Sequence, residues 1–352
     1  MANNQQGASK GAPKKLGNQA YTAGKVSKGK PNKKKGQSSS AFGWGAVAVV
    51  VVAIAAFIGI YLSNSASSPS TASASGIASG NDPALAPANV VNAVTNVPTA
   101  VFNEVGVGSS PPKTTGGKWT GSVTVPFAVL KSQPKVPINS EKPTFLYYGA
   151  EYCPFCALMR WSLVMSLARF GKFTNLHETM SSGTDVYPNT PTFTFYHSSY
   201  SSPYINFTPY EYLNRLQQQL QVPPSWVLQL YLKYDGTATG QPAPTYNIWG
   251  SAGIPFLDVN NHYTSAGDPP TFGPAEQVLQ GGGPGRLAIA QAMDNPDGQV
   301  GLTFDAGAFV AESNYISAAI CNVDHNKPAS VCSSPGVMAA KQAITKHGSV
   351  VG

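Results

Sequence analysis

A mixed α/β domain held outside the cytosol behind one apolar span is the architecture the sequence predicts, and three features carry that prediction. An uncharged run of 22 residues, Ala41–Leu62, follows nine lysines and no acid. Beyond Trp119, short apolar runs bounded by Gly and Pro alternate with stretches of helical spacing. Two cysteines, Cys153 and Cys156, stand where one such run gives way to one such helix.

The N-terminal features come first along the chain. Residues 1–41 form a lysine-rich and glycine-rich tail, expected to be disordered. The formal net charge is +7, yet beyond the tail 14 bases face 16 acids. The basic balance therefore belongs to the tail. The tail carries one aromatic, Tyr21, and no expected fold, so nucleic acid is not an expected partner. As a helix at about 1.5 Å per residue the apolar run spans about 33 Å, against a hydrocarbon core about 30 Å thick. Trp44 and Tyr61 sit near its ends, where amphipathic rings favour the interface. The lysines precede the run and no charge follows until Asp82. The expectation is a single transmembrane anchor over 42–62 in the cell membrane, with a cytoplasmic N-terminus and everything after it extracytoplasmic. A signal peptide cleaved near Asn64-Ser65-Ala66 is the alternative, against which both the charged region and the apolar core are overlong. In either case the folded part is exported.

Residues 63–118 are rich in Ala, Ser, Pro and Asn and read as a low-complexity linker. The folded domain is expected over 119–340, with 341–352 a C-terminal tail. Within the domain, Gly121–Val129 supplies a strand weakened by Pro126, and Lys142–Ala150 a short apolar strand ending near a glycine. Cys156–Phe170 has helical spacing and Gly171 stops it. Phe173–Glu178 and Thr192–Tyr196 read as strands, and Tyr210–Leu220 and Trp226–Tyr234 as helices. Ile254–Val259 is a strand, followed by helices over Arg286–Met293 and Ala308–Cys321.

The motif Cys153-Pro154-Phe155-Cys156 lies at the predicted strand-to-helix junction. Two cysteines three apart at a helix start share one face, where they can close a small disulfide or release two thiols. The first sits beside unpaired backbone N–H groups, which favour a thiolate. Pro154 fits the first turn, where its missing N–H costs nothing. On this reading Cys153 is the exposed attacking thiol and Cys156 the inward resolving thiol. A structural crosslink and a zinc site remain as other readings. A zinc site drawing on all four cysteines is disfavoured by the ten-residue gap between Cys321 and Cys332 and by the oxidising location. The five histidines show no ligand spacing.

The motif resembles the active site of thioredoxin-like proteins, in the Cys-Pro-Phe-Cys version found in glutaredoxins. The strand KPTFLYYGAEYCPFCA, the segment NTPTFTFYHSSY, the motif GIPF and the closing AAICNVDHNKPASVC together resemble a family of uncharacterised archaeal and bacterial membrane-anchored thioredoxin-like proteins. The likeness covers about residues 120–335. It implies a thioredoxin-like fold with a helical insertion over about 200–245. It also implies that Pro255 is a cis-proline opening the strand opposite the cysteines. The backbone of Ile254 would then pair with a substrate chain held against Cys153.

Tyr152 and Phe155 flank the cysteines and offer an apolar contact surface for a protein substrate. Glu151 reads as a solvent-facing loop acid, and Arg160 as a helix residue reaching water or an acid. Cys321 and Cys332 are assigned to a structural disulfide closing a short loop. No phosphate loop and no G-x-S-x-G elbow is present, and no cofactor or metal is expected. The reading is a thiol–disulfide oxidoreductase acting on exported protein thiols or disulfides, with a membrane protein as redox partner. The alternative is a non-catalytic binding or scaffold domain in which Cys153–Cys156 is a structural disulfide.

Overall fold

Short apolar segments and two largely buried helices build the domain. The computed structural model describes residues 83–108, 119–131, 141–235, 253–267, 269–279, 284–297 and 301–351. The expected tail and anchor lie outside these residues. No helix among the described residues is long and apolar enough to cross a membrane.

The described chain opens with β1 (Ala84–Leu85), α1 (Ala88–Thr95) and α2 (Thr99–Val105), followed by β2 (Ala128–Leu130) and β3 (Thr144–Gly149). The cysteine motif leads from β3 into α3 (Pro154–Ala168). Four short strands come next, β4 (Lys172–Thr174), β5 (His177–Met180), β6 (Pro191–Thr194) and β7 (Ser199–Ser201), and then β8 (Asn206–Glu211). After α4 (Ser225–Asp235) come β9 (Phe256–Val259) and β10 (Tyr263–Ala266). The chain ends with α5 (Glu276–Leu279), α6 (Arg286–Ala292), α7 (Leu302–Val323), α8 (Ala329–Cys332), α9 (Pro335–His347) and β11 (Ser349–Val351).

Six of these strands form one mixed sheet in the order β11-β2-β10-β9-β3-β8. β3 pairs parallel with β8, in the register Leu146↔Thr208, and antiparallel with β9, in the register Tyr147↔Leu257. β9 and β10 form a hairpin, β10 pairs antiparallel with β2, and β11 adds in parallel at the far edge. A three-stranded sheet β1-β5-β6 and the β4–β7 pair lie outside it.

The pleat divides the core in two. Side chains alternate across a strand, so Phe145 and Tyr147 of β3 join the cluster that contains the apolar residues of α3 and α7. Leu146 and Tyr148 join a second cluster with Val227, Leu230 and Tyr234 of α4. All six residues of β3 are buried, which is why this strand reads as an unbroken apolar run. α3 and α7 pack on each other and are buried nearly all round. Gly307 of α7 is required where Trp119 crosses it, because a Cβ there would lie 2.3 Å from the indole.

Four expectations need correction. The linker does not extend to 118: α1 and α2 put Val90, Val94, Phe102 and Val105 into the main core. The C-terminal residues are not a loose tail, since α9 runs to His347 and β11 joins the main sheet. Tyr210–Leu220 is not a helix; β8 runs to Glu211 and a turn follows. The stretch expected as a helical insertion therefore contributes a strand of the main sheet, and its described helix is α4 alone. The apolar spacing of Tyr210, Tyr212 and Leu213 imitates part of a helical face, but parallel pairing with β3 holds the chain extended as far as Glu211.

Candidate active site

The cysteine motif occupies the C-terminal end of β3. Cys153 is the N-cap of α3 and Pro154 fills its first turn. The Cys156 N–H donates to Cys153 Sγ at 3.4 Å, so the helix start places a donor on the first sulfur. On another side the Cys153 thiol donates to the Ile254 carbonyl at 3.6 Å. The Ile254–Pro255 peptide is cis and immediately precedes β9. The structure thus brings Cys153, Cys156 and Ile254 together, with Pro255 next in the chain. Both cysteines are free thiols.

Cys153 is not exposed as the sequence led us to expect. It retains 5% of its surface and Cys156 none. The reason is the apolar cluster between the sheet and α4, which includes both sulfurs and has Tyr152, Phe155, Tyr212, Trp226 and Tyr231 packed against it. The Tyr152 and Tyr212 hydroxyls lie 3.2 Å apart. The Phe155 ring meets Phe272 edge-on at 5.0 Å and Tyr187 at 6.2 Å. Burial pushes the Cys156 thiol well above the ordinary thiol range, and the adjacent Cys153 adds to this. Arg160 and the backbone of Ala150 pull the other way.

Behind the cysteines lies a buried charge cluster. Arg160, one turn beyond Cys156, is wholly buried and forks onto Glu211 at the end of β8. Its Nε donates to Oε1 at 2.8 Å and its Nη2 to Oε2 at 2.7 Å. Nη2 also donates to the Ala150 carbonyl at 2.7 Å. Burial works against the guanidinium charge most strongly, but Glu211, Tyr147 and Cys156 together outweigh it and hold Arg160 above its usual range. Glu151 is not a solvent-facing acid. It is fully buried, and burial pushes its carboxyl up to about 7, with the Glu211 charge adding. The Thr194 hydroxyl, Arg160 and the backbone of Arg215 offset this in part. Tyr147 of β3 donates its hydroxyl to Glu211 Oε2 at 3.5 Å.

Sequence reasoning passed over Tyr147 and Glu211. Glu211 lay inside the segment read as a helix, whereas the alternation in Asn206–Tyr212 carried a strand signal that would have placed it. Tyr147 looked like one more apolar residue of a buried strand.

Cys321 and Cys332 form a disulfide joining the end of α7 to α8. With Asp324 they make the one group of metal-ligand type among the described residues, and its two sulfurs are bonded to each other.

A protein-family model described as a domain of unknown function (DUF929) matches residues 129–322. The match contains the cysteine motif, Arg160, Glu211 and Ile254–Pro255, and it includes Cys321 but not Cys332. Comparison with curated proteins and with solved structures gives no match.

Proposed function

We propose that this chain, which belongs to the DUF929 family, is a thiol–disulfide oxidoreductase tethered to the membrane and acting on exported proteins. The observation that carries the reading is Cys153 at the N-cap of α3, with the Cys156 N–H on one side of its sulfur at 3.4 Å and the Ile254 carbonyl on another at 3.6 Å. The strand order β8-β3-β9-β10, the motif at the end of β3 and the packing of α7 on α3 support a thioredoxin-like fold. The lysine tail and the apolar run Ala41–Leu62 support an anchor that holds the domain outside the cytosol.

In the reducing direction the Cys153 thiolate attacks one sulfur of a substrate disulfide. The substrate S–S bond breaks, the second substrate sulfur leaves as a thiolate, and a mixed disulfide forms. Cys156 then attacks Cys153 Sγ, forming the Cys153–Cys156 bond and releasing the first substrate sulfur. Two electrons pass from the pair to the substrate, and a membrane redox partner restores them. The oxidising direction runs the same steps backwards. Tyr152 and Phe155 flank the sulfurs and supply apolar contact, and the Ile254 backbone positions the substrate chain.

The test is thiol–disulfide exchange by the purified full-length chain, followed as insulin reduction and as oxidation of a reduced protein. Cys153→Ser is expected to lose turnover, and Cys156→Ser to accumulate a mixed disulfide. Unchanged turnover in Cys153→Ser would overturn the assignment. One observation favours a second reading, a binding or scaffold domain with a structural cysteine pair: Cys153 is only 5% exposed. A reduction potential below about −300 mV without turnover would decide for it.

A further inference from the structure

The two residues that lead into the cysteine motif are pinned from two sides. The Ser182 N–H donates to the Tyr152 carbonyl at 2.8 Å, and the Glu151 N–H donates to the Leu213 carbonyl at 2.9 Å. The pinning segments run on as the walls of one open groove of about 450 Å³. Ser182, Gly183 and Thr184 line one side, and Arg215, Leu216 and Gln217 the other. Both walls are fixed. Asn214 Oδ1 accepts from the Leu216 and Gln218 N–H groups at 2.9 Å each, which holds the turn after β8. Ser182 Oγ accepts from the Thr184 N–H at 3.2 Å. Arg215 joins the walls. Its Nη2 donates to Asn189 Oδ1 at 2.8 Å and to the Ser181 carbonyl at 3.4 Å. The lining holds a cation and no acid. Asp185, next to Thr184 in the chain, accepts from the Val186 N–H at 2.7 Å. Two apolar side chains stand in water here, Leu216 in the lining at 51% exposure and Val186 at 71%.

The strand order gives this groove its place in the reaction. Ile254 leads into β9, Cys153 follows β3, and the turn carrying Arg215 follows β8. β3 lies between β9 and β8, and the registers Tyr148↔Phe256 and Gly149↔Glu211 bring all three to one end of the sheet. A chain held at Ile254 with its sulfur at Cys153 therefore runs on past the end of β8 into the groove. Neighbouring strands are about 4.8 Å apart and an extended chain rises about 3.3 Å per residue. The groove is thus reached about two or three residues beyond the reacting cysteine.

We propose that the groove receives an acidic side chain of the substrate, two or three residues from the reacting cysteine, and that Arg215 selects it. This inference rests on the thiol–disulfide reading above and adds the class of substrate: extended exported segments in which Asp or Glu stands near the cysteine. A guanidinium fork matches a carboxylate in shape and charge. Its anchoring by Asn189 and Ser181 leaves little side-chain order to be imposed on binding. Leu216 and Val186 offer contact to apolar neighbours of the acid. Arg215 is a specificity-determining residue and takes no part in the exchange of sulfur bonds.

Peptides with one cysteine capped by thionitrobenzoate measure the preference. Cys153 Sγ bonds to the peptide sulfur, the bond between peptide and cap breaks, and the cap leaves as a coloured thiolate with the electron pair. Asp, Asn or Lys is placed at each of the first four positions on either side of the cysteine. Each rate with the reduced full-length chain is divided by the rate with dithiothreitol, which removes the peptide's own reactivity. The wild type is expected to favour Asp over Asn by about threefold to fivefold, the scale of a partly exposed ion pair, at the second or third position on one side. Lys should be disfavoured there. The preference should shrink toward unity as salt rises from about 0.02 M to about 0.5 M. Arg215→Gln should bring the Asp-to-Asn ratio to about one, and Arg215→Lys should restore part of it. The wild-type salt and Lys measurements decide the matter even if the arginine changes disturb folding. A wild-type ratio near one at every position, or a preference indifferent to salt or to Arg215→Gln, would overturn the assignment of the groove and leave the oxidoreductase intact. Wild-type release no faster than that of Cys153→Ser for every peptide would instead remove the underlying reading.

Discussion

Glu312, midway along α7, has no exposure and accepts a hydrogen bond from Ser162 Oγ at 2.7 Å. Burial pushes its carboxyl from 4.5 up to about 7, and the Ser162 and Thr271 hydroxyls offset this in part. Between those two pH values the folded protein holds a proton that the unfolded chain gives up. Stability therefore falls as pH rises through that window and levels off outside it. Asp258 of β9 is also pushed up to about 7 by its burial and acts in the same direction. Glu312→Gln removes one such group. The variant is expected to gain melting temperature on the wild type as pH is raised from about 5 to about 8, because only the wild type must ionise or hold a buried acid. A gap between the two proteins that does not change with pH would refute the argument. Burial at this scale was not legible: Glu151, Arg160 and Glu312 all look like ordinary surface residues in the sequence, and only their surroundings make them otherwise.

At the scale of elements, α1 and α2 show how composition misleads. Their surroundings are rich in Ala, Ser, Pro and Asn, yet Val90 and Val94 stand one turn apart in α1, and Phe102 and Val105 do so in α2. Prolines at 87 and 98 stand at the two helix starts. Asn314 of α7 donates to the Phe102 and Gly106 carbonyls at 2.8 Å, satisfying groups at the end of α2. Phe102 is 2% exposed and lies under the Arg169 guanidinium, 4.2 Å from ring to cation. Phe102→Ala should cost about 3–5 kcal/mol in denaturant unfolding, the usual range for truncating a buried aromatic. A loss under about 1 kcal/mol would show that the segment does not belong to the cooperative unit. β8 misled in the opposite way. Its Pro209 argues against a central strand, but β8 stands at the sheet edge and pairs only with β3, where a missing donor is tolerated.

At the scale of the molecule, the Cys321–Cys332 bridge closes a loop with a sequence separation of 11 and fixes α8 against the end of the buried α7. Loop closure of this length is worth about 3 kcal/mol on the chain-entropy account. The Cys321→Ser, Cys332→Ser double variant should therefore melt several degrees lower, with exchange chemistry at Cys153 retained. An unchanged melting temperature would show that the bridge carries no stability.

The sequence by itself determined the strand-to-helix junction that holds Cys153 and Cys156, the strand that begins after Pro255, the long helix ending near Cys321 and the apolar run at 41–62. Each rests on residues close together in the chain, where spacing and backbone chemistry are enough. Only the tertiary structure decided that Cys153 is nearly covered. It alone gathered Tyr147, Glu151, Arg160 and Glu211 behind the second sulfur, and it alone brought residues near both ends of the domain into the core and the sheet. Those outcomes depend on pairing β3 with β8 across more than fifty intervening residues and on which faces lose water when α3, α4 and α7 pack. Burial is a property of the assembled fold, and local periodicity does not contain it.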